Sequence, residues 1–343
     1  MTVDQLLADL AAGRVAALAR AISIVENGRP GFEELLAGVH PRLGRARRIG
    51  LTGPPGGGKS TLVERLVTAW RAAGLRVAVV AVDPTSPFSG GALLGDRIRM
   101  ESVALDQNVF IRSMATRGSL GGVATTTREV CDILDAAGFD RILIETVGVG
   151  QSELDIARTA DASVLVLVPE SGDGIQTLKS GVMEIADLFV VNKADRPGAE
   201  KLRQEIEVTL GIRQGNAFRH IRAHHGARDT VGPARPARAA RPEDPPVLLT
   251  TAVTGAGIPD LVAALDRHHE WLESSGALAE RRRRRLLDRT REVVERAARR
   301  WIWDETAAER QILERLDDLA AGRVSPYEVA AQVLDGLKQG ERV

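Results

Sequence analysis

Apolar residues in the first forty positions recur at a broken three-to-four spacing: Leu6, Leu7, Leu10, Val15, Leu18, Ile22 and Val25. That is the period of an amphipathic helix, and Gly28 followed by Pro30 ends the run. From Arg48 the pattern changes to short β-branched blocks at 49–52, 77–82, 109–112, 142–146, 163–168, 188–191 and 247–251. Most are continuously apolar, as parallel strands covered on both faces require. Helical stretches fall between them, so the expected core is an α/β, doubly wound, mostly parallel sheet. From Leu261 the chain turns all-helical. Leu286, Leu287, Thr290, Val293, Val294, Ala297, Ala298, Trp301 and Ile302 form one apolar stripe, which together with Trp303 reads as helix packing or a dimer seam.

Residues 213–246 break the rhythm. They are rich in Arg, Pro, Ala and Gly without periodicity, and such a composition buries too little apolar surface to order itself. The expected division is therefore an N-terminal helical extension (1–45), a nucleotide domain (46–273) with a mobile insertion at 213–246, and a C-terminal helical arm (274–343).

Composition narrows the function. The 343 residues carry 46 Lys+Arg against 46 Asp+Glu, so a bulk nucleic-acid or anionic-membrane binder is not expected. No apolar run reaches the roughly 18 residues of a bilayer span. The first ten residues hold Asp4 and Asp9 and no basic start, unlike a signal peptide; a cytoplasmic protein is expected. One cysteine, Cys131, excludes an intrachain disulfide framework and an all-Cys metal site. Only five of the 46 bases are lysine: Lys59, Lys179, Lys193, Lys201 and Lys338.

The first of these lysines lies in the most specific motif. Gly53-Pro54-Pro55-Gly56-Gly57-Gly58-Lys59-Ser60 fits G-x-x-x-x-G-K-[ST], with an apolar strand before it and a helix opening at Thr61. The glycines let consecutive backbone N–H groups turn inward around a β-phosphate. Lys59 is the point charge for the β/γ oxygens, and Ser60 offers a hydroxyl to Mg²⁺. A nucleoside triphosphate site follows.

Asn192-Lys193-Ala194-Asp195 sits at the carboxyl end of the 188–191 strand, where a base pocket falls in such a sheet. A carboxylate at Asp195 accepts guanine N1–H and the exocyclic amine, whereas adenine would turn a lone pair towards it. A buried unpaired polar group costs about 1–3 kcal/mol, enough to favour GTP over ATP by more than roughly tenfold. Lys193 can lay its stem along the base, and Thr251-Ala252 could offer backbone N–H to guanine O6. The competing reading makes Asp195 a cap for the next helix.

Acids near strand ends supply the metal candidates. Asp83 and Glu145 each close an apolar block, and Asp96 lies in Gly90-Gly91-Ala92-Leu93-Leu94-Gly95-Asp96-Arg97. Each can hold Mg²⁺ directly or through its waters, although Asp96 could equally cap a helix. Glu145 stands where Asp is more usual, so its longer arm favours a water-mediated contact. Asp83 is the candidate for orienting the attacking water, and Gly148 for donating its N–H to the γ-phosphate. Val149, not Gln, follows Gly148, and slow intrinsic hydrolysis is expected.

With these residues the chain resembles the MeaB/ArgK-type GTPases, the SIMIBI-like G-protein chaperones of adenosylcobalamin-dependent acyl-CoA mutases. Besides the phosphate loop and Asn192-Lys193-Ala194-Asp195, the matching stretches are Asp83-Pro84-Thr85-Ser86-Pro87-Phe88, residues 90–100, Arg112-Ser113-Met114-Ala115-Thr116-Arg117-Gly118, Leu120-Gly121-Gly122, residues 145–153 and Pro169-Glu170-Ser171-Gly172-Asp173. The resemblance covers about 1–340 except the insertion. It implies GTP/GDP and Mg²⁺ as ligands, a homodimer held by the C-terminal helices, and a mutase on a separate chain as partner. It also implies three nucleotide-responsive loops, at about 83–100, 145–158 and 170–181. The third contains Asp173, Gln176 and Lys179; Lys179 and Asp173 either form a link that rearranges on mutase contact or an exposed pair worth little. The chain itself should not bind cobalamin, because Asp266-Arg267-His268 lacks the glycine of a D-x-H-x-x-G loop.

Three rival readings remain: a kinase or ATPase tied to basic amino-acid transport, a nickel-inserting GTPase, and a scaffold that binds GTP without turning it over. Asp195 opposes the first. The second needs soft ligands, and Cys131, within an apolar helix at 122–137, reads as core. His220, His224 and His225 have weak metal-like spacing at the start of the insertion. The five arginines at 281–285 could meet an acidic partner, but a solvated face is the commoner outcome.

Overall fold

Seven blocks become seven strands. In the computed structural model, which describes residues 1–83, 100–115, 122–146, 156, 159–169, 182–213 and 245–338, they are β1 (Arg47–Thr52), β2 (Val77–Asp83), β3 (Val109–Ala115), β4 (Arg141–Thr146), β5 (Ala162–Leu167), β6 (Leu188–Val191) and β7 (Val247–Leu249). They form one parallel sheet in the order β3-β2-β4-β1-β5-β6-β7. β7 ends two residues short of expectation: Thr250 still donates its N–H to Val191 of β6, but Thr251 pairs with Ala256 in the loop that follows. The chain winds from β1 to one side, then crosses to β5 on the other. A crevice therefore opens at the carboxyl end of β1.

Strand alternation sorts the side chains into two layers. Ala78, Val80, Val82, Ile142 and Ile144 face a layer made by α1 (Val3–Ala11), α2 (Val15–Glu26), α3 (Phe32–Val39) and part of α6 (Gly122–Ala136). Val77, Val79, Leu143, Val164 and Val166 face α4 (Lys59–Ala72) and α9 (Ile258–Ser274), with the one-turn α5 (Glu101–Ala104) beside them. Leu165, Leu167, Phe189 and Val191 pack on α7 (Val182–Ile185) and α8 (Ala199–Arg213). Covered on both sides, the blocks had to be apolar throughout. Among the described residues no helix is long and apolar enough to cross a membrane.

At the strand starts one device is used three times. Asp140, Asp161 and Asp187 immediately precede β4, β5 and β6. Each donates its own N–H to a neighbouring-strand carbonyl, of Arg76, Arg48 and Ser163 respectively. Each carboxylate then accepts the N–H of that same residue, at 2.7, 3.1 and 3.0 Å. These two-bond rings satisfy backbone groups at the sheet rim that would otherwise need water.

The same rim receives the first turns of α10 (Ala277–Asp304). Arg281 donates two N–H groups to Asp187, at 2.8 and 3.1 Å, and Arg282 grips Asp161 at 2.8 Å and the carbonyls of Gly44 and Ala46. The solvated-face expectation is thus corrected for the first two arginines of the run: the carboxylates they meet are almost wholly buried. On α6, Asp135 accepts the N–H groups of Gly44, Arg45 and Ala46 and, with Asp132, the guanidinium of Arg48. Burial opposes the Arg48 charge, but the carboxylates of Asp132 and Asp135 more than offset it and raise its pKa.

The chain divides into two compact units, Met1–Arg283 and Arg284–Val343. In the second, α11 (Ala308–Glu314), α12 (Leu316–Ala320) and α13 (Pro326–Lys338) gather Ala308, Val329 and Val333 with Ile302, Ile312 and Leu337. The stripe residues Leu286, Leu287, Val293, Val294, Trp301 and Trp303 stand exposed.

Cys131 is fully buried in α6, and burial pushes its thiol up to about 12, so thiolate is scarce at neutral pH. Iodoacetamide at pH 8 should leave it unmodified in the native protein and alkylate it in urea. Native labelling by mass spectrometry within minutes would contradict this placement.

Candidate active site

The phosphate loop leaves β1 at Gly53 and enters α4 at Lys59. Gly53 has φ 136°, and a Cβ there would lie 2.0 Å from the Val166 carbonyl of β5. Only glycine lets the chain cross the neighbouring strand this closely. Gly58, at φ 81°, is constrained from the other side: its Cβ would meet Asn192 Nδ2 at 2.4 Å. The two positions explain why the motif opens and closes on glycine.

α4 has no acid of its own in its first turn, which suits its positive end to an anion. Lys59, almost buried, donates from Nζ to the Gly53 carbonyl at 2.7 Å and the Pro54 carbonyl at 2.9 Å. Its ammonium thus lies across the loop and not in solvent. Pro54, Pro55 and Gly56 form the more open side of the turn, while Gly57 is buried. Ser60 donates its hydroxyl to Glu145 Oε1 at 2.7 Å. Glu145 comes from β4 in register with Leu51 of β1, and one residue further along both strands the Thr52 and Thr146 hydroxyls meet at 3.1 Å. Thr61 continues α4 one residue beyond Ser60.

The base-reading corner is built around Asn192, which is buried at the end of β6. Its Nδ2 donates to the Gly57 carbonyl at 2.9 Å. Its Oδ1 accepts from the Thr250 hydroxyl and the Ala252 N–H, both at 3.1 Å. Lys193 follows at φ 58°, the only positive φ of a non-glycine among the described residues. A residue with a long side chain rarely adopts that conformation; here it starts the sharp turn on which Asp195 is presented, exposed. α8 begins only at Ala199, with the Gly198 carbonyl accepting its first helical bond. Asp195 is therefore not the N-cap of that helix, and the capping alternative falls away.

Thr251 and Ala252 lie in the loop after β7. The Thr251 N–H donates to the Ala256 carbonyl at 3.0 Å and the Ala252 N–H to Asn192. These two residues thus frame Asn192. Gly257 closes the loop at φ 75°, where a Cβ would lie 2.2 Å from the Leu249 carbonyl.

The structure brings together the phosphate loop, Ser60, Glu145, Asn192 and the 250–257 loop. Asp83 ends β2, with its side chain outside the described residues. Asp96, Gly148, Asp173, Gln176, Lys179, His220, His224 and His225 also lie outside them. Sequence reasoning missed Arg65, which grips the loop after β7 from α4; no local pattern announces such a contact. It also missed the rim acids, whose signal, an Asp directly before each of three apolar blocks, is visible in retrospect.

Residues 18–307 match the family model described as methylmalonyl Co-A mutase-associated GTPase MeaB. A relative from Pyrococcus abyssi is 46% identical over 292 residues, 85% of this chain and 84% of its own. The mouse protein named methylmalonic aciduria type A homolog, mitochondrial, is 43% identical over 207 residues, 56% of this chain and 50% of its own. Among solved structures, one titled LAO/AO transport system kinase superposes with a TM-score of 0.66 at 28% identity, covering 98% of both chains.

Proposed function

Because the chain belongs to the MeaB family of methylmalonyl-CoA mutase-associated GTPases, we propose that this GTP hydrolase gates cofactor loading, protection and repair of an adenosylcobalamin-dependent acyl-CoA mutase carried on a separate chain. The observation that carries the guanine half of this reading is Asn192, hydrogen-bonded at once to the phosphate loop and to the loop after β7. It puts Asp195 on a turn whose start is fixed against the phosphate site, where a carboxylate can accept guanine N1–H and the amine.

Ser60 and Glu145 fit Mg²⁺: a hydroxyl and a carboxylate 2.7 Å apart beside the loop are the oxygen donors a hard divalent cation takes. When bound, Mg²⁺ neutralises charge on the β- and γ-phosphate oxygens. Lys59 moves its ammonium from loop carbonyls to those oxygens and the α4 N–H groups hold the β-phosphate. Asp83 orients the attacking water, Asp96 completes the metal's surroundings, and the Gly148 N–H reads the γ-phosphate. Loss of that phosphate releases the loops, and the segment with Asp173, Gln176 and Lys179 passes the change to the mutase. With no Gln after Gly148 the intrinsic rate is slow and the partner raises it. The exposed α10 stripe is the seam of a homodimer, so 274–343 acts as a dimerisation arm.

GTP turnover measured with and without candidate mutases tests the gate. Stimulation is expected with the client, and identical rates with every candidate would sink it in favour of the GTP-stabilised scaffold. Asp195→Ala should lose the GTP-over-ATP preference by more than about tenfold; a retained preference would overturn the base assignment. The resemblance to a structure titled as a transport-system kinase keeps one competitor in view. Label from γ-phosphate appearing on an acceptor molecule, not in free phosphate, would favour it.

A further inference from the structure

Arg65 lies on α4 beyond the phosphate loop and belongs to none of the nucleotide motifs. Its Nε donates to the Ala252 carbonyl at 2.9 Å, and its Nη2 donates to the Val253 carbonyl. Ala252 is buried and sends its N–H to Asn192 Oδ1, while Val253 is 74% exposed. The loop thus has a buried inner residue aimed at the base-reading asparagine and an outer residue with little packing of its own.

The bonds close into a ring. Gly57 of the phosphate loop accepts from Asn192, Asn192 accepts from Ala252, and Ala252 accepts from Arg65. Arg65 returns to the phosphate loop along its own helix, which starts at Lys59. Each other link is a backbone group or a side chain of the base-reading motif. Arg65 is the only charged link, and its two neighbouring carbonyl contacts suit the planar fork of a guanidinium, which an ammonium cannot reproduce.

We propose that Arg65 is a positioning residue for guanine selection, holding the 250–253 loop so that Asn192 and, through it, the turn bearing Asp195 keep the geometry that reads the base. This rests on the guanine reading of the site given above. Its consequence is specific. ATP gains nothing from Asp195, so loosening the loop should weaken GTP and leave ATP nearly unchanged. A merely structural arginine would weaken both alike, because both use the same phosphate loop.

The test measures Kd for GTP and ATP, and kcat for GTP, in the full chain and in Arg65→Met, Arg65→Lys and Asp195→Ala, with folding checked by thermal melts. Arg65→Met should reduce the GTP-over-ATP preference by about five- to tenfold, part of what its two charge-assisted bonds contribute because they act on the base only through the loop. Its kcat at saturating GTP should stay within about twofold of wild type. Arg65→Lys, able to reach one carbonyl, should fall between. An unchanged preference in Arg65→Met, whether both nucleotides weaken together or neither does, overturns the proposal. Should Arg65→Met fail to fold, the preference of Arg65→Lys decides in the same way. A wild-type chain with no preference overturns the guanine reading and this inference with it. A preference lost in Asp195→Ala but kept in the Arg65 variants overturns this inference alone.

Discussion

Lys59→Met is expected to lower GTP turnover by about 10²–10³-fold, the usual cost of deleting one preorganised charge or donor at a developing anion. The substitution keeps the length and apolar stem of the side chain and removes only the ammonium. That ammonium already lies within 2.9 Å of two loop carbonyls, at the positive end of a helix with no acid in its first turn. It is therefore held at the loop by the fold before any phosphate arrives, a short move from the phosphate oxygens. Because Lys59 is almost buried, no neighbouring solvent cation can replace it cheaply. Single-turnover hydrolysis and nucleotide affinity, measured separately, should show loss in both. Turnover within threefold of wild type would mean that the loop does not work as read here.

Asp135→Ala should destabilise the first unit by about 3–5 kcal/mol, in the range for breaking a buried charged cluster by removing one partner. Asp135 is 1% exposed and accepts three consecutive backbone N–H groups, from Gly44, Arg45 and Ala46, as well as Arg48. Alanine removes the acceptor of all three N–H groups, and that of Ala46 is left buried away from water. The segment they belong to joins the N-terminal helices to β1, so that layer should lose its anchor first. Urea denaturation followed by tryptophan fluorescence measures the change. Asp135→Asn, which keeps acceptor oxygen but not charge, should lose about half as much. A loss below about 1 kcal/mol for alanine would show that the cluster is dispensable.

Much of this architecture was legible because it is local. An apolar block buried on both faces has to be apolar along its whole length, and 188–191 accordingly became β6 without adjustment. The phosphate loop was equally plain, since its glycines, lysine and serine act within eight residues. Contacts between distant segments left no such trace. Arg65 meets Ala252 across 187 positions, and neither residue type is unusual where it stands. Arg281 and Arg282 looked like part of a charged surface because a run of arginines usually is one; that two of them meet buried acids depends on where the strand starts lie. Asp195 could have been a helix cap until the three residues of turn between it and Ala199 were seen.

The three aspartate rings at the strand starts also bear on how the sheet finds its alignment. Successive N–H groups on a strand point to opposite neighbours, so sliding β4, β5 or β6 by one residue would face its aspartate with no donor at all. Each ring closes only in the native register, where Arg76, Arg48 and Ser163 offer N–H and carbonyl together. Parallel strands joined by long crossovers meet late and can mispair. Here the mark of correct pairing sits on the first residue ahead of each strand, so misaligned sheets are penalised before the apolar layers have closed over them.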